Sequence, residues 1–457
     1  MFMPYPLKII QESGLVQKPV KFKQKAGQCP MRCLQVFILI VFTCTFFSFG
    51  RLVAQEEKKP ETQNKLLAKK LKSKSTWEKI LDFPGDLLML PPKLALETSR
   101  EVLEFVDKSK IVPKTVDRLT SDDGLRGVRP TYSTRTGAGF YYFQKSLWQQ
   151  TSRLKMTATS SFNGDRMKFE FKQNEFSLLN GFVRGGYLYR YTKLDEESIY
   201  GLGPLAEKEN RSDYGFRQKL TEICLGINPI TNLSINVTGS YEVNKVRPSH
   251  ELEHTPIFEI YDESTLPGVE EPADLLTWQV NLNFNRNDRP GNPTSATDFR
   301  IHAGVFNDIG EDHFDFWRAG FDFTQVVHFF YERTLAFRIA AETTEPFGDK
   351  KIPFYYLSEL GSEETIRGFS RGRFRDRDMF LGSLEYRYPI LRMVDAYIFA
   401  DAGKVAFDIT KEMDTKNLQT GYGGGVRVYN SGGLVLKTEF GVSDDGGRFY
   451  FSLNKGL

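Results

Sequence analysis

The sequence predicts an all-β fold: a closed antiparallel transmembrane β-barrel of about 16 strands, preceded by a short helical N-terminal segment. Three observations carry this. From about Arg126 to the C-terminus, apolar and polar residues alternate with period two, as in strands with one apolar face. The connections between these segments sort by length, mostly tight on one side and long on the other. Aromatic residues and glycine are plentiful (Phe 38, Tyr 20, Gly 38), yet hydrophobic residues make up only 40 %. That is too few for a helical membrane bundle, whose helices each need about 20 apolar residues in a row. A net charge of +3 over 457 residues implies no nucleic-acid partner.

The elements follow in chain order. Residues 1–30 resemble nothing structural, and Met31 is a candidate for the true start. Residues 31–54 have the layout of a signal peptide. Arg32 precedes the apolar run Cys33–Phe49, and a cut after Ala54 follows a small residue. An uncleaved anchor is the alternative, although the run is slightly short for a spanning helix. Removal of the signal would leave Cys224 as the single cysteine and exclude an intrachain disulfide. Residues 55–75 form a lysine-rich polar linker. Residues 76–125 read as a helical segment: Pro92 suits a first turn, and Leu96, Ser99, Leu103 and Val106 then share a face.

Residues 126–457 form the barrel. Eleven alternating segments, beginning near Gly127 and ending with the one near His328, precede a long connection at 344–378. Five more follow, from Met379 to the one near Arg448. Tight turns fall at Asn228–Thr231, Tyr388–Leu391 and Asn430–Gly433, with a longer one at Asn287–Ala296. Long polar connections fall at Lys193–Arg211, Arg247–Leu275, Thr344–Asp378 and Phe407–Thr420. Two short connections, near Asn307 and Asp444, break the sorting. The last segment sets Phe449, Phe451 and Leu453 on one face, as a closing strand with a lipid-facing side would.

The connection at 344–378 contains Ile366-Arg367-Gly368-Phe369 within "ETIRGFSRGRFRDRD". It precedes "GSLEYRYPI" (Gly382–Ile390) and "FADAGKVA" (Phe399–Ala406), and "SIYGLGP" (Ser198–Pro204) follows the fifth segment. In this combination the chain resembles the BamA/TamA superfamily of outer-membrane barrels, the bacterial surface antigen family, over roughly Arg126 to Leu457. The period-two pattern places Glu385, Arg387 and Asp401 on the lumen side of their strands. A lipid-facing arginine near mid-membrane would cost about 2–4 kcal/mol. The resemblance implies that the loop folds into the barrel and that Arg367 reaches Glu385 and Asp401. Gly368 would then allow the tight turn at the tip, and Phe369 would pack against the inner wall. Arg371, Arg373, Arg375 and Arg377 are expected to be solvated.

The resemblance further implies a monomeric barrel in the outer membrane of a Gram-negative-type bacterium. Its work would be membrane protein insertion or polypeptide or lipid transport, with membrane lipids, client barrels or periplasmic factors as partners. A passive pore or structural surface protein is the alternative. The family's periplasmic POTRA repeats are not expected, because Gln55–Leu125 has room for one at most and shows no convincing strands. No cofactor, metal or enzymatic activity is expected. His250 and His254 have metal-pair spacing but read as a solvated loop, with no second cluster. Gly368–Gly372 matches G-x-S-x-G, but Ser370 lacks the strand-turn-helix setting that a nucleophile needs.

Overall fold

The computed structural model describes residues 119–453, apart from 134, 180–181, 250–253, 289–292, 330–332, 392–393, 413 and 431–432. The signal peptide, linker and most of the helical segment expected over 1–125 lie outside the described residues, as does His250. The last of these residues are described: Ser121 and Asp123 shape a turn, and Thr120 bridges Gly127.

Sixteen antiparallel strands close into one barrel. The first seven are β1 (Arg126–Ser133), β2 (Gly137–Lys145), β3 (Arg153–Ser160), β4 (Arg166–Leu178), β5 (Val183–Ile199), β6 (Ser212–Ile230) and β7 (Leu233–Pro248). Next come β8 (Ala273–Asn287), β9 (Ala296–Asp308), β10 (Phe316–Phe329) and β11 (Arg333–Pro346). Two short strands, β12 (Ser358–Leu360) and β13 (Phe374–Asp376), pair with each other inside the long connection. The wall resumes with β14 (Asp378–Leu391), β15 (Val394–Ala406), β16 (Gln419–Asn430), β17 (Gly433–Ser443) and β18 (Gly446–Leu453).

The alternation seen in the sequence is the alternation of two solvents. On β6, Ile223 and Leu225 stand exposed, and on β8 Trp278 and Val280 do the same. Such side chains suit an acyl-chain environment and form the outward apolar band of the barrel. Their strand neighbours point inward, where polar groups find protein partners. We call the end bearing the long connection at 347–377 the outer end, and the end bearing the tight turns the inner end.

Strand length varies around the wall. β5, β6 and β7 run for 17, 19 and 16 residues, whereas β1, β3 and β18 each have 8. A tilted strand needs about 9–11 residues to span a bilayer. The long strands therefore project beyond the membrane and the short ones barely cross it. This corrects one expected boundary: Lys193–Ile199 belongs to β5, not to an outer loop. Beyond the bilayer, lipid no longer requires one apolar face. There "LDEESI" pairs with β6 across a register shift between Leu194 and Glu197.

The barrel closes unevenly. Among the described residues, neighbouring strands are registered over at least eight pairs at every junction but β1–β18, where Tyr132 stands opposite Leu453 at the end of the described chain. The rings of Tyr132 and Phe451 meet edge-on across this seam, 5.6 Å apart.

Candidate functional site

The 347–377 connection folds back into the outer half of the barrel and is held at two places. The β12–β13 ribbon closes a tip spanning 361–373, so the Ile366–Phe369 sequence sits at the end of a tied hairpin. Gly368 lies at φ +103°, in the region that favours glycine. A Cβ there would also meet the Val442 carbonyl carbon at 2.7 Å.

The structure brings Arg367, Glu385 and Asp401 together and adds a third carboxylate. Arg367 Nε and NH2 donate to the two oxygens of Asp401 at 2.7 and 2.6 Å. NH1 donates to Glu385 and to Glu439, each at 2.9 Å. NH2 also reaches Ser383 Oγ at 3.1 Å, and the guanidinium lies 3.5 Å from the Phe399 ring centroid. The Arg367 side chain is 4 % exposed and Asp401 is fully buried. Burial alone would lower the Arg367 pKa. The Asp401 hydrogen bonds and charge, with Glu385 and Glu439, reverse this and raise it above its ordinary value.

Glu439 was missed from sequence. Its signal was weak: within "LKTEFGV", period two puts Lys437 and Glu439 on the lumen side of β17, but nothing local links them to the loop. Ile366 and Phe369 are buried with Phe374, Leu360, Leu381 and Val405 in one apolar cluster. The Phe369 and Phe374 rings meet edge-on at 5.1 Å.

The loop needs wall space, and β16 provides it. Gly421, Gly423 and Gly425 recur with period two in "GYGGGVR", on the side that faces the loop and the β15 aromatics. A Cβ on Gly423 would strike the Phe399 ring at 2.7 Å, and one on Gly425 the Tyr397 hydroxyl at 2.6 Å. The tip also grips the last strand. The Gly368 N–H donates to Tyr450 Oη (3.0 Å), the Tyr450 hydroxyl donates to the Phe369 carbonyl (3.1 Å), and Arg448 donates to Ser370 Oγ (2.5 Å). Ser370 is thus a partner of Arg448 in a loop, with a turn rather than a helix after it.

The second hold lies across the lumen, in the Phe354–Tyr356 turn, which no sequence motif singles out. Tyr356 Oη donates to Glu242 (2.5 Å) and accepts from Asn244 (3.1 Å). Its ring packs against Phe306 and Phe316 at 5.4 and 5.2 Å. Burial, then the Glu242 charge, push the Tyr356 hydroxyl well above its ordinary pKa, so it stays a donor.

Two of the four flanking arginines are not solvated. Arg373 and Arg375 are buried. Arg373 pairs with Asp445 (2.7 Å), donates to the Ala206 carbonyl (2.6 Å) and covers the Phe374 ring, 4.6 Å from its centroid. Arg375 pairs with Glu359 (2.9 Å). Arg371 and Arg377 are half-buried in ion pairs with Glu359, Glu363 and Glu345. The acceptors come from distant parts of the chain, including the 200–211 connection, whose Gly203 N–H bonds the Arg375 carbonyl. Arg373→Ala should therefore destabilise the barrel by about 2–3 kcal/mol, because it strips a buried charge-assisted network. Arg371→Ala should stay within about 0.5 kcal/mol. Urea unfolding followed by heat-modifiable gel mobility separates the two, and equal midpoints would count against a sealed outer cap.

His254 is half-buried on a loop, with its Nδ1 3.0 Å from Asp213 Oδ2. On the outer rim, Glu271, Glu311 and His313 bring possible ligand atoms within 4.8 Å, an arrangement that the 2.7 Å His313–Glu271 ion pair accounts for.

Comparisons with known proteins agree with this architecture. The model of the Omp85 superfamily domain matches residues 128–456. Among solved structures, BamA from Haemophilus ducreyi lacking POTRA domains 1-3 superposes with a TM-score of 0.55 at 17 % identity, covering 72 % of this chain and 70 % of that one. CdiB from Acinetobacter baumannii gives a TM-score of 0.45 at 13 % identity over 71 % and 58 % of the respective chains. No curated protein matches the chain.

Proposed function

Because this chain belongs to the Omp85 superfamily of outer-membrane barrels, we propose that it serves membrane protein insertion, or the related transport of polypeptide or lipid, by opening sideways at its seam. The proposed setting is the outer membrane of a Gram-negative-type bacterium, with client barrel chains and membrane lipids as partners.

The seam carries this reading. Among the described residues the β1–β18 junction shows one register pair and one aromatic contact, whereas every other junction shows at least eight register pairs. Each β1 backbone group released when this junction opens is one that a client strand could bind, by β-strand addition at an exposed edge. The strands beside the seam, β1 and β18, are also among the shortest, which favours a locally thinned bilayer and a lower barrier to insertion. The outer mouth is a poor exit: the anchored loop fills it, and the 200–211 segment ties to that loop through Gly203 and Ala206. This favours lateral release over a passive open pore. Tyr450 and Arg448 of β18 also bond the loop tip, which would let the last strand sense whether the loop is seated.

Locking the seam tests the proposal. Tyr132→Cys with Leu453→Cys places two thiols on opposed residues of an antiparallel pair, within the range a disulfide spans. In a native host depleted of the wild-type chain, the oxidised double variant is expected to leave other outer-membrane barrels depleted, and reduction to restore them. Full restoration by a fully crosslinked variant would refute lateral opening.

A further inference from the structure

On the inner side of the anchored loop the lumen contains two adjoining cavities, of about 460 and 260 Å3. Thr324, Arg387 and Arg427 line both. The smaller reaches Asn287 and Pro293 at the inner turn, and the larger ends beneath Arg367 and Glu364. Together they form a vestibule facing the inner mouth.

Its charges are unevenly placed. Arg300 and Arg338 are taken up by Asp298 and Asp322, whereas Arg367, Arg387, Arg427 and Lys437 share three carboxylates, Asp401, Glu385 and Glu439. Asp322 is taken up by Arg338, which binds it through Nε and NH2 at 2.6–3.0 Å. Glu363 leans toward Arg371 at 3.7 Å. Glu385 is shared among three guanidiniums: Arg367 at 2.9 Å, Arg387 at 3.1 Å and Arg427 at 2.8 Å. Glu439 is shared between Arg367 and Lys437, the latter at 2.7 Å. Arg387, Arg427 and Lys437 therefore compete for two carboxylates that Arg367 already uses. Arg427 is nine-tenths buried, and its Nε finds no acceptor among the described residues. Arg427 lines both cavities and shares its carboxylate, Glu385, with Arg367 and Arg387, which leaves this group of cations short of acceptors.

We propose that this vestibule is a binding site for a phosphate-class oxyanion entering from the inner mouth, held by Arg387, Arg427 and Lys437. Guanidinium forks match the paired oxygens of a phosphate, and an ammonium supplies a third donor. A phosphate near neutral pH brings between one and two negative charges to a cluster short of them. A monovalent carboxylate brings fewer acceptors and less charge. The site lies below the loop anchor and does not depend on how clients leave the barrel.

The test uses the purified full chain in detergent micelles, with inorganic phosphate as the probe and sodium chloride at equal ionic strength as the control. Thermal unfolding is followed by gel mobility, and affinity by calorimetry. Phosphate in excess is expected to raise the midpoint by about 2 °C or more, with no rise in chloride. Arg387→Gln and Lys437→Gln keep the largely buried Arg427 in place and should fold; each is expected to weaken phosphate binding ~10-fold. Glycerol 3-phosphate, titrated separately, distinguishes a lipid headgroup from the free ion by which of the two binds more tightly. Equal shifts in phosphate, acetate and chloride would overturn the proposal. So would unchanged affinity in both folded variants.

Discussion

Arg367→Ala is expected to cost the barrel about 3–5 kcal/mol, visible as a large drop in the urea midpoint and in the yield of folded protein. The magnitude comes from what remains behind. Asp401 is fully buried and Glu439 nearly so, and Arg367 meets both directly. Removing the guanidinium leaves two carboxylates facing one another in the lumen, with Lys437 to serve Glu439 and the Ser383 hydroxyl to serve Asp401. Glu385 suffers less, since Arg387 and Arg427 remain. Arg367→Lys separates charge from shape. An ammonium restores the charge but cannot donate to Asp401 through two parallel bonds while reaching Glu385 and Glu439. It should recover part of the stability and not all of it. Asp401→Asn should also destabilise, by less than Arg367→Ala, because Glu385 and Glu439 still neutralise the arginine. Arg371 is the proper control: it sits in the same loop with ion pairs no shorter than 3.7 Å. Equal losses in Arg367→Ala and Arg371→Ala would end the case for a special anchor.

How much of this was legible in the sequence follows from which forces act locally. Alternation is local, because lipid on one face and polar lumen on the other constrain each strand residue by residue. The sixteen wall strands could be read for that reason, and so could the inward direction of Glu385 and Asp401. The reading lost its footing where the two-solvent constraint ends. Lys193–Ile199 extends β5 past the membrane, has no lipid-facing side, and looked like a loop. Long-range pairing was invisible for a different reason. Arg373 and Arg375 look identical to solvated loop arginines until the fold brings Asp445, Ala206 and Glu359 to them. Glu439 lies 72 residues from Arg367, and one acidic residue on a lumen face carries no label of its partner. Tyr356 was hidden likewise, since its partners Glu242 and Asn244 sit on the far wall. The glycines of β16 were the one missed feature with a readable pattern: three at period two, on the face where a barrel wall otherwise carries side chains.

That pattern supports the second large prediction. Gly421→Ala is expected to prevent the loop from seating, although it adds a single methyl group in a strand, where alanine is otherwise tolerated. A Cβ at Gly421 would lie 2.0 Å from the Arg367 carbonyl oxygen and 3.1 Å from Ile366 Cγ2. The carbonyl cannot yield independently: the Arg367 N–H is bonded to Asp401 and the following Gly368 N–H to Tyr450. Overpacking against fixed backbone costs about 1–3 kcal/mol, and here it acts on the same residue that binds three carboxylates. The loss should approach that of Arg367→Ala. Gly382→Ala, on β14, is the matched control, because its nearest neighbour would be the Ala402 carbonyl oxygen at an ordinary 3.9 Å. If a shared loop position is what both substitutions disturb, Gly421→Ala combined with Arg367→Ala should cost little more than either alone, since a displaced loop has already lost the anchor. Fully additive losses in urea unfolding would mean that Gly421 acts on the wall rather than on the loop, and the coupling between thinned wall and inserted arginine would have to be abandoned.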